Sequence, residues 1–115
     1  MLFDLGKTEV KPQGREILGR FVDSLEALPK YARLAVEGYT DDNPVNQKVY
    51  DSNWHLSALR SLAVLGILET RGVCSDNCEV RGFGEFRPAA PNRDDKGKPI
   101  AENQSKNRRV VLRIF

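Results

Sequence analysis

One histidine, His55, and two adjacent acids, Asp41-Asp42, are the residues of this chain best suited by type to acid–base chemistry. A general base must reach the proton it removes, and no neighbour in sequence gives His55 a partner. Adjacent carboxylates in a polar stretch are more often simply solvated. Gly82-Phe83-Gly84 lacks the rest of a dinucleotide-binding fingerprint and follows its expected strand instead of preceding it. No serine stands in a G-x-S-x-G frame. Cys74 and Cys78 have no further Cys or His close by, so a four-ligand zinc site is not indicated, and their spacing is not that of a C-x-x-C redox motif. A small disulfide loop and a pair of unpaired thiols both remain open, with Ser75-Asp76-Asn77 between them as turn-forming residues. An enzyme is a poor expectation, and a hydrolase using Asp41 and Asp42 is its weakest form.

A binding site is easier to build. Asp41 falls where a strand should end, and Arg60 about two turns into the helix that follows. Helical side chains lean back toward the helix amino terminus, so Arg60 can reach the same mouth as Asp41. The plain reading of a carboxylate beside a guanidinium is a structural ion pair, and spacing alone favours it. The sharper reading is a ligand with an ammonium and a carboxylate on one carbon, which needs an anionic acceptor and a planar two-pronged donor. Thr40 and Asn53 would add neutral hydrogen bonds.

The elements that must hold these residues are legible from periodicity. Met1-Leu2-Phe3 reads as a first strand. Pro12 suits the first turn of a helix. Ile17, Leu18, Phe21, Val22, Leu25 and Leu28 then give it one apolar face, and Pro29 stops it. Ala32–Glu37 reads as a strand ending at Gly38, followed by a polar loop over 39–52. A second helix runs from about Asn53 to Thr70, capped by Ser52 or Asn53 and closed by Gly72, with Leu56, Ala63, Val64, Ile67 and Leu68 as its buried stripe. Glu79–Phe83 reads as a strand, 84–106 as a long polar surface excursion, and Val110–Phe115 as the last strand. The expected order is β-α-β-α-β-(loop)-β: an α+β domain over residues 1–115, with helices packed on one mixed four-stranded sheet.

Composition agrees with a single soluble domain. The 115 residues are 40% hydrophobic and 30% charged. The longest apolar run, Leu62–Leu68, is far short of the ~20 residues a membrane span needs, and no basic-then-apolar leader opens the sequence. The net charge of +2, from 18 Lys+Arg and 16 Asp+Glu, is too balanced to indicate nucleic-acid binding. The positive charge is concentrated in the last third, which could attract an anionic polymer.

Taken in order, Gly38-Tyr39-Thr40-Asp41, Ser52-Asn53-Trp54-His55-Leu56-Ser57-Ala58-Leu59-Arg60, Arg71-Gly72-Val73, Gly82-Phe83-Gly84-Glu85, Pro88 and Asn107-Arg108-Arg109-Val110 resemble the OmpA-like peptidoglycan-binding domain. This family occurs in OmpA, in the Pal lipoprotein and in MotB-type motor stators, and the resemblance in style is closest to the last. It covers essentially the whole chain. It implies a domain without enzymatic activity or cofactor that binds the cell-wall stem peptide, with Asp41 and Arg60 clasping the amine and carboxylate of meso-diaminopimelate. Thr40, Asn53 and Leu56 would shape the pocket, and of the two arginines in Asn107-Arg108-Arg109 the second, Arg109, is expected to make contact. It also implies a periplasmic part of a longer Gram-negative protein that anchors a membrane complex, possible stators included, to peptidoglycan. An interaction module of the same fold, without wall binding, is the alternative. In the oxidising compartment so implied, Cys74 and Cys78 are expected to be bonded. Stator-type relatives dimerise, but with no long exposed apolar stripe the isolated domain is expected to be monomeric or weakly dimeric.

Overall fold

The computed structural model describes residues 2–4, 6–25, 32–74 and 76–115. Six elements follow in the order α1 (Pro12–Leu25), β1 (Leu34–Tyr39), α2 (Asn53–Thr70), β2 (Cys78–Gly82), α3 (Ala101–Asn107) and β3 (Arg109–Ile114). The three strands form one mixed sheet in the order β2-β1-β3. The central strand β1 runs parallel to β2, with Gly38 opposite Gly82, and antiparallel to β3, with Tyr39 opposite Arg109. This is the expected α+β architecture with one strand fewer. Leu2 and Phe3 lie outside the sheet, and Met1 is outside the described residues. The backbone of Leu2 accepts a bond from Lys11, and Phe3 is buried in the core. The apolar start of the chain plugs the core instead of adding an edge strand.

Side chains alternate across β1. Leu34 and Val36 point into a core with Val64 and Leu68 of α2, Leu18 and Val22 of α1, and Phe3. Gly38 completes that face against Ser57 and Ser61 of α2. Two hydroxyls tie helix to sheet there: Ser61 Oγ donates to the Arg81 carbonyl at 2.9 Å, and Ser57 Oγ accepts from Gly84 N–H at 2.9 Å. The α2 boundaries are those expected, and the Ser52 hydroxyl caps it by accepting from His55 N–H. In α1, Ile17 is exposed, because the inward stripe runs through Gly14, Leu18, Gly19 and Val22. The expected stop at Pro29, and Leu28, fall outside the described residues. Cys74 and Cys78 form a disulfide, with Cα atoms 5.5 Å apart, at the entry to β2. No helix among the described residues is long and apolar enough to cross a membrane.

The 84–106 excursion includes most of α3 and is held by Gln104 and by Asn107, the residue just beyond it. Asn107, fully buried, accepts from the Ala89 and Ala90 N–H groups and donates to Ala90 O and Asn92 Oδ1. Gln104 Nε2 donates to Asp42 Oδ1 at 2.9 Å, and Arg93 pairs with Asp42 Oδ2 at 2.7 Å.

The sheet face away from the helices is closed by charge. Glu37, 2% exposed, sits in mid-strand and receives bonds from Arg113, Arg81 and Tyr39. The Arg113 hydrogen bond, with help from Arg81, holds its carboxyl below the usual glutamate range despite the opposing effect of burial. Burial would raise the carboxyl of Asp42, but bonds from Gln104 and Arg93 outweigh it and lower it as well. A depressed native value adds stability at neutral pH that disappears as pH falls below the ordinary carboxylate range of ~4 and through the native value. The urea midpoint is therefore expected to drop between pH 6 and pH 3. The drop should be smaller in Glu37→Gln, which keeps the shape but does not titrate; equal drops would remove Glu37 from this account.

Candidate functional site

The carboxyl end of β1, the first two turns of α2 and the start of β3 meet around one cavity of about 140 Å³. At ~10–15 Å³ per water-sized occupant, it has room for about ten such occupants, enough for the head of an amino acid. Thr40, Asp41, Asn53, Leu56 and Arg60, five of the six ligand residues expected from the sequence, line it. Gly6, Asn43, Tyr50 and Arg108 complete much of the wall.

Asp41 is 4% exposed. Its Oδ1 accepts from Asn43 N–H at 3.0 Å, and its Oδ2 accepts from Asn43 Nδ2 at 3.1 Å and from Arg108 Nη1 at 2.6 Å. The 41–43 turn is fixed by neighbours: Thr40 Oγ1 donates to Asp41 O, and Asn53 Nδ2 to Asp41 O and Asn43 O. Thr40 N–H continues the strand by donating to Gly84 O. Leu56, 5% exposed, supplies apolar wall, and the Tyr50 hydroxyl donates to Gly6 O across the opening loop.

Arg60 is 1% exposed. Its Nε donates to Lys7 O at 2.9 Å and its Nη2 to Asp4 O at 3.3 Å, and the guanidinium lies 5.3 Å from the Phe3 ring centroid. Burial pushes its pKa down and Arg108 adds to that, while the carboxylate of Asp41 opposes them; an arginine nonetheless stays charged. Two buried donors, Arg60 Nη1 and Arg108 Nε, have no hydrogen-bond partner among the described residues. Buried donors are nearly always paired; Arg60 and Arg108, the residues that carry these two, both line the cavity. One carboxylate against two guanidiniums leaves the cavity net positive, with its free donors suited to a carboxylate and Asp41 to a cation.

Two expectations about pairing change. No ion pair joins Asp41 to Arg60 among the described residues; Asp41 pairs with Arg108 instead. Arg109 is not in the cavity wall: its guanidinium lies 3.8 Å from the Tyr39 ring centroid and donates to Arg87 O and Asn107 O. The register explains this. Arg109 pairs with Tyr39 on the open sheet face, so Arg108, one residue earlier, turns to the opposite side, where Asp41 lies. Asn43, Tyr50 and Arg108 were missed from the sequence, and only Arg108 had a signal there, the doubled arginine ahead of an apolar strand. His55 accepts from Asp51 N–H and lies edge-on to Tyr50, outside the cavity lining.

Known proteins resemble this chain in sequence and in overall fold. The chain is 30% identical over 116 residues to Motility protein B of Bacillus subtilis, covering all of this chain and 42% of that protein. It is 38% identical over 101 residues to the peptidoglycan-binding protein ArfA of Mycobacterium tuberculosis, covering 88% of this chain and 28% of the relative. The chain thus spans less than half the length of either. The crystal structure of the C-terminal domain of Helicobacter pylori MotB superposes with a TM-score of 0.84 at 26% identity, over 99% of this chain and 81% of that one. The family model described as the OmpA family matches residues 2–107, and the chain belongs to the OmpA family.

Proposed function

We propose that this domain, a member of a non-enzymatic family, binds peptidoglycan without covalent attachment by gripping the meso-diaminopimelate residue of the stem peptide. The observation that carries the reading is the cavity at the end of β1 that Asp41, Arg60 and Arg108 line together. The ligand carboxylate would meet Arg60 and the free Nε of Arg108, and the ammonium would meet Asp41. Thr40 and Asn53 hold the turn that presents Asp41, and Leu56 receives the aliphatic chain. Such a grip would anchor a parent membrane complex, an ion-driven stator among the candidates, to the wall on the outer side of the membrane. The relatives include a Bacillus and a mycobacterial protein, so the reading does not depend on a Gram-negative wall.

The test is calorimetry with two stem peptides, one carrying meso-diaminopimelate and one carrying lysine at the same position. Lysine lacks the second carboxylate and leaves Arg60 unmatched. Its peptide should bind more weakly by about 2–5 kcal/mol, the usual cost of removing one side of a buried charged contact. Equal affinities would remove diaminopimelate as the ligand.

A further inference from the structure

The face of the sheet turned away from α2 is lined by arginine. Strand alternation brings Arg81 of β2, Glu37 and Tyr39 of β1, and Arg109 and Arg113 of β3 to that side together. Phe83, just past β2, stacks on Tyr39 with ring centroids 5.1 Å apart and planes 21° apart. A guanidinium covers each ring: Arg109 lies 3.8 Å from the Tyr39 centroid, and Arg87 4.1 Å from that of Phe83. Arg109 Nη2 also donates to Arg87 O at 3.1 Å, so the two arginines are neighbours. Among the described residues no carboxylate forms an ion pair with either of them.

The other two arginines stand around one acid. Arg81 and Arg113 both pair with Glu37, which is almost wholly buried, and Arg81 also pairs with Glu79. Four guanidiniums against two carboxylates leave the face net positive, with the surplus at the Arg87–Arg109 end. Folding does not account for that surplus. A cation over a ring near the surface contributes little, and neighbouring like charges repel. What the rings do is fix where the guanidiniums lie.

Charge, flatness and the covered rings together select the partner. A guanidinium presents a rigid fork of donors that matches two oxygens of one anion. From Arg109 to Arg113 the face runs four residues along β3, about 13 Å, which suits an extended anion better than a single ion. Against a flat sheet, a chain with charges in its own backbone lies closer than one that carries them on side chains. Arg109 and Arg87 already occupy Tyr39 and Phe83, so neither ring is free for a nucleic-acid base to stack on.

We propose that the open sheet face, through Arg81, Arg87, Arg109 and Arg113, is a docking surface for a polyol-phosphate chain, an extended polymer of phosphodiesters without bases. It is separate from the Asp41–Arg60 cavity and does not depend on the diaminopimelate reading. Arg108 and Arg109, consecutive in the chain, turn to opposite sides of the sheet, one to each site.

The test titrates the domain with a synthetic glycerol-phosphate oligomer, a polyglutamate of equal charge, and vesicles of phosphatidylglycerol. The oligomer should bind, and its affinity should fall steeply as salt is raised. Arg87→Gln with Arg109→Gln should weaken it about 25-fold, roughly fivefold for each charge removed, with melting curves showing that the variant folds. Arg87→Gln alone should cost about fivefold; this side chain is exposed and among the described residues is held only over Phe83, so its loss leaves the fold intact. Arg15→Gln with Arg20→Gln removes the same charge from exposed positions of α1, on the helical side, and should change affinity less than about twofold. Absence of oligomer binding, binding untouched by Arg87→Gln, or an equal loss in the α1 variant overturns the proposal. So does binding of polyglutamate or of the vesicles as tight as that of the oligomer, which would assign the face to an acidic protein segment or to a membrane surface.

Discussion

Asp41→Asn is expected to abolish detectable binding to purified sacculi and to leave a folded domain. The amide keeps the size of the carboxylate and an oxygen to accept from Asn43 N–H, but it offers no charge to an ammonium or to Arg108, so part of the stability cost remains and the melt must be read beside the binding. Truncating or neutralising one side of a buried charged contact costs ~2–5 kcal/mol of binding. Arg60→Lys should fail as badly, because an ammonium cannot supply two parallel donors to a carboxylate. The alanine variants are the poorer tests. Asp41 and Arg60 are both buried, Asp41 holds Arg108, and Arg60 holds the carbonyls of Asp4 and Lys7. Stripping either side chain strands its partners, at about 3–5 kcal/mol of stability, so lost binding in Asp41→Ala or Arg60→Ala would mix two causes. Calorimetry with the diaminopimelate stem peptide, run beside thermal melts of the two conservative variants, separates them. Folded Asp41→Asn protein with wild-type affinity would refute the proposed grip.

Gly38→Ala is expected to be among the most damaging single substitutions in the domain, at about 3 kcal/mol or more, the upper end of overpacking penalties. The backbone conformation is not the reason, since Gly38 is not among the glycines with positive φ. The reason is space: a Cβ would overlap the Ser57 carbonyl and press on Ser61 Oγ. A carbonyl in mid-helix cannot swing aside, so α2 would have to lift from the sheet. Gly82, beside Gly38 in the sheet, has the same restriction, with Ala58 N only 2.9 Å from where its Cβ would be. Lifting α2 carries Arg60 away from Asp41, so any residual folded protein should also bind poorly. Gly66→Ala, on the same helix with open space around it, provides the control. It should be neutral or stabilising by up to ~1 kcal/mol, from helix propensity alone. Urea unfolding of the two variants should give opposite signs; similar midpoints would mean that the close approach at Gly38 is not limiting.

These residues also show which parts of the fold the sequence made legible. Local signals were reliable: Ser52 before an apolar run, Pro12 at a helix start and Gly72 after Arg71 each mark an end that depends only on its neighbours. Nonlocal outcomes were not. Leu2-Phe3 has strand-like composition, yet β1 already has β2 on one edge and β3 on the other, and the core had room for Phe3. Asp42 looked like a solvated loop acid until residues 93 and 104 reached it, and no local pattern encodes a bond across 62 positions. The choice between Arg108 and Arg109 depended on a strand register, which a one-residue shift reverses. Asp41, Arg60, Thr40 and Asn53 could be placed because strand end and helix start fix them locally; Leu56 came from the family resemblance, and all five line the cavity. Arg108 needed the partner strand.

The sheet order β2-β1-β3 has a consequence for how the domain comes into being. The central strand is made early, while one of its two partners, residues 109–114, lies some seventy positions further along. Closing so long a loop is entropically costly and slows folding. Until it closes, β1 has an open edge, a template for pairing with other chains. The same closure delivers Arg108 to Asp41 and α3 to Asp42. A chain still emerging from synthesis can fold α1, α2 and the β1–β2 pair and yet have no finished cavity. The finished cavity is therefore a property of the completed domain alone, and a partly made chain does not contain it.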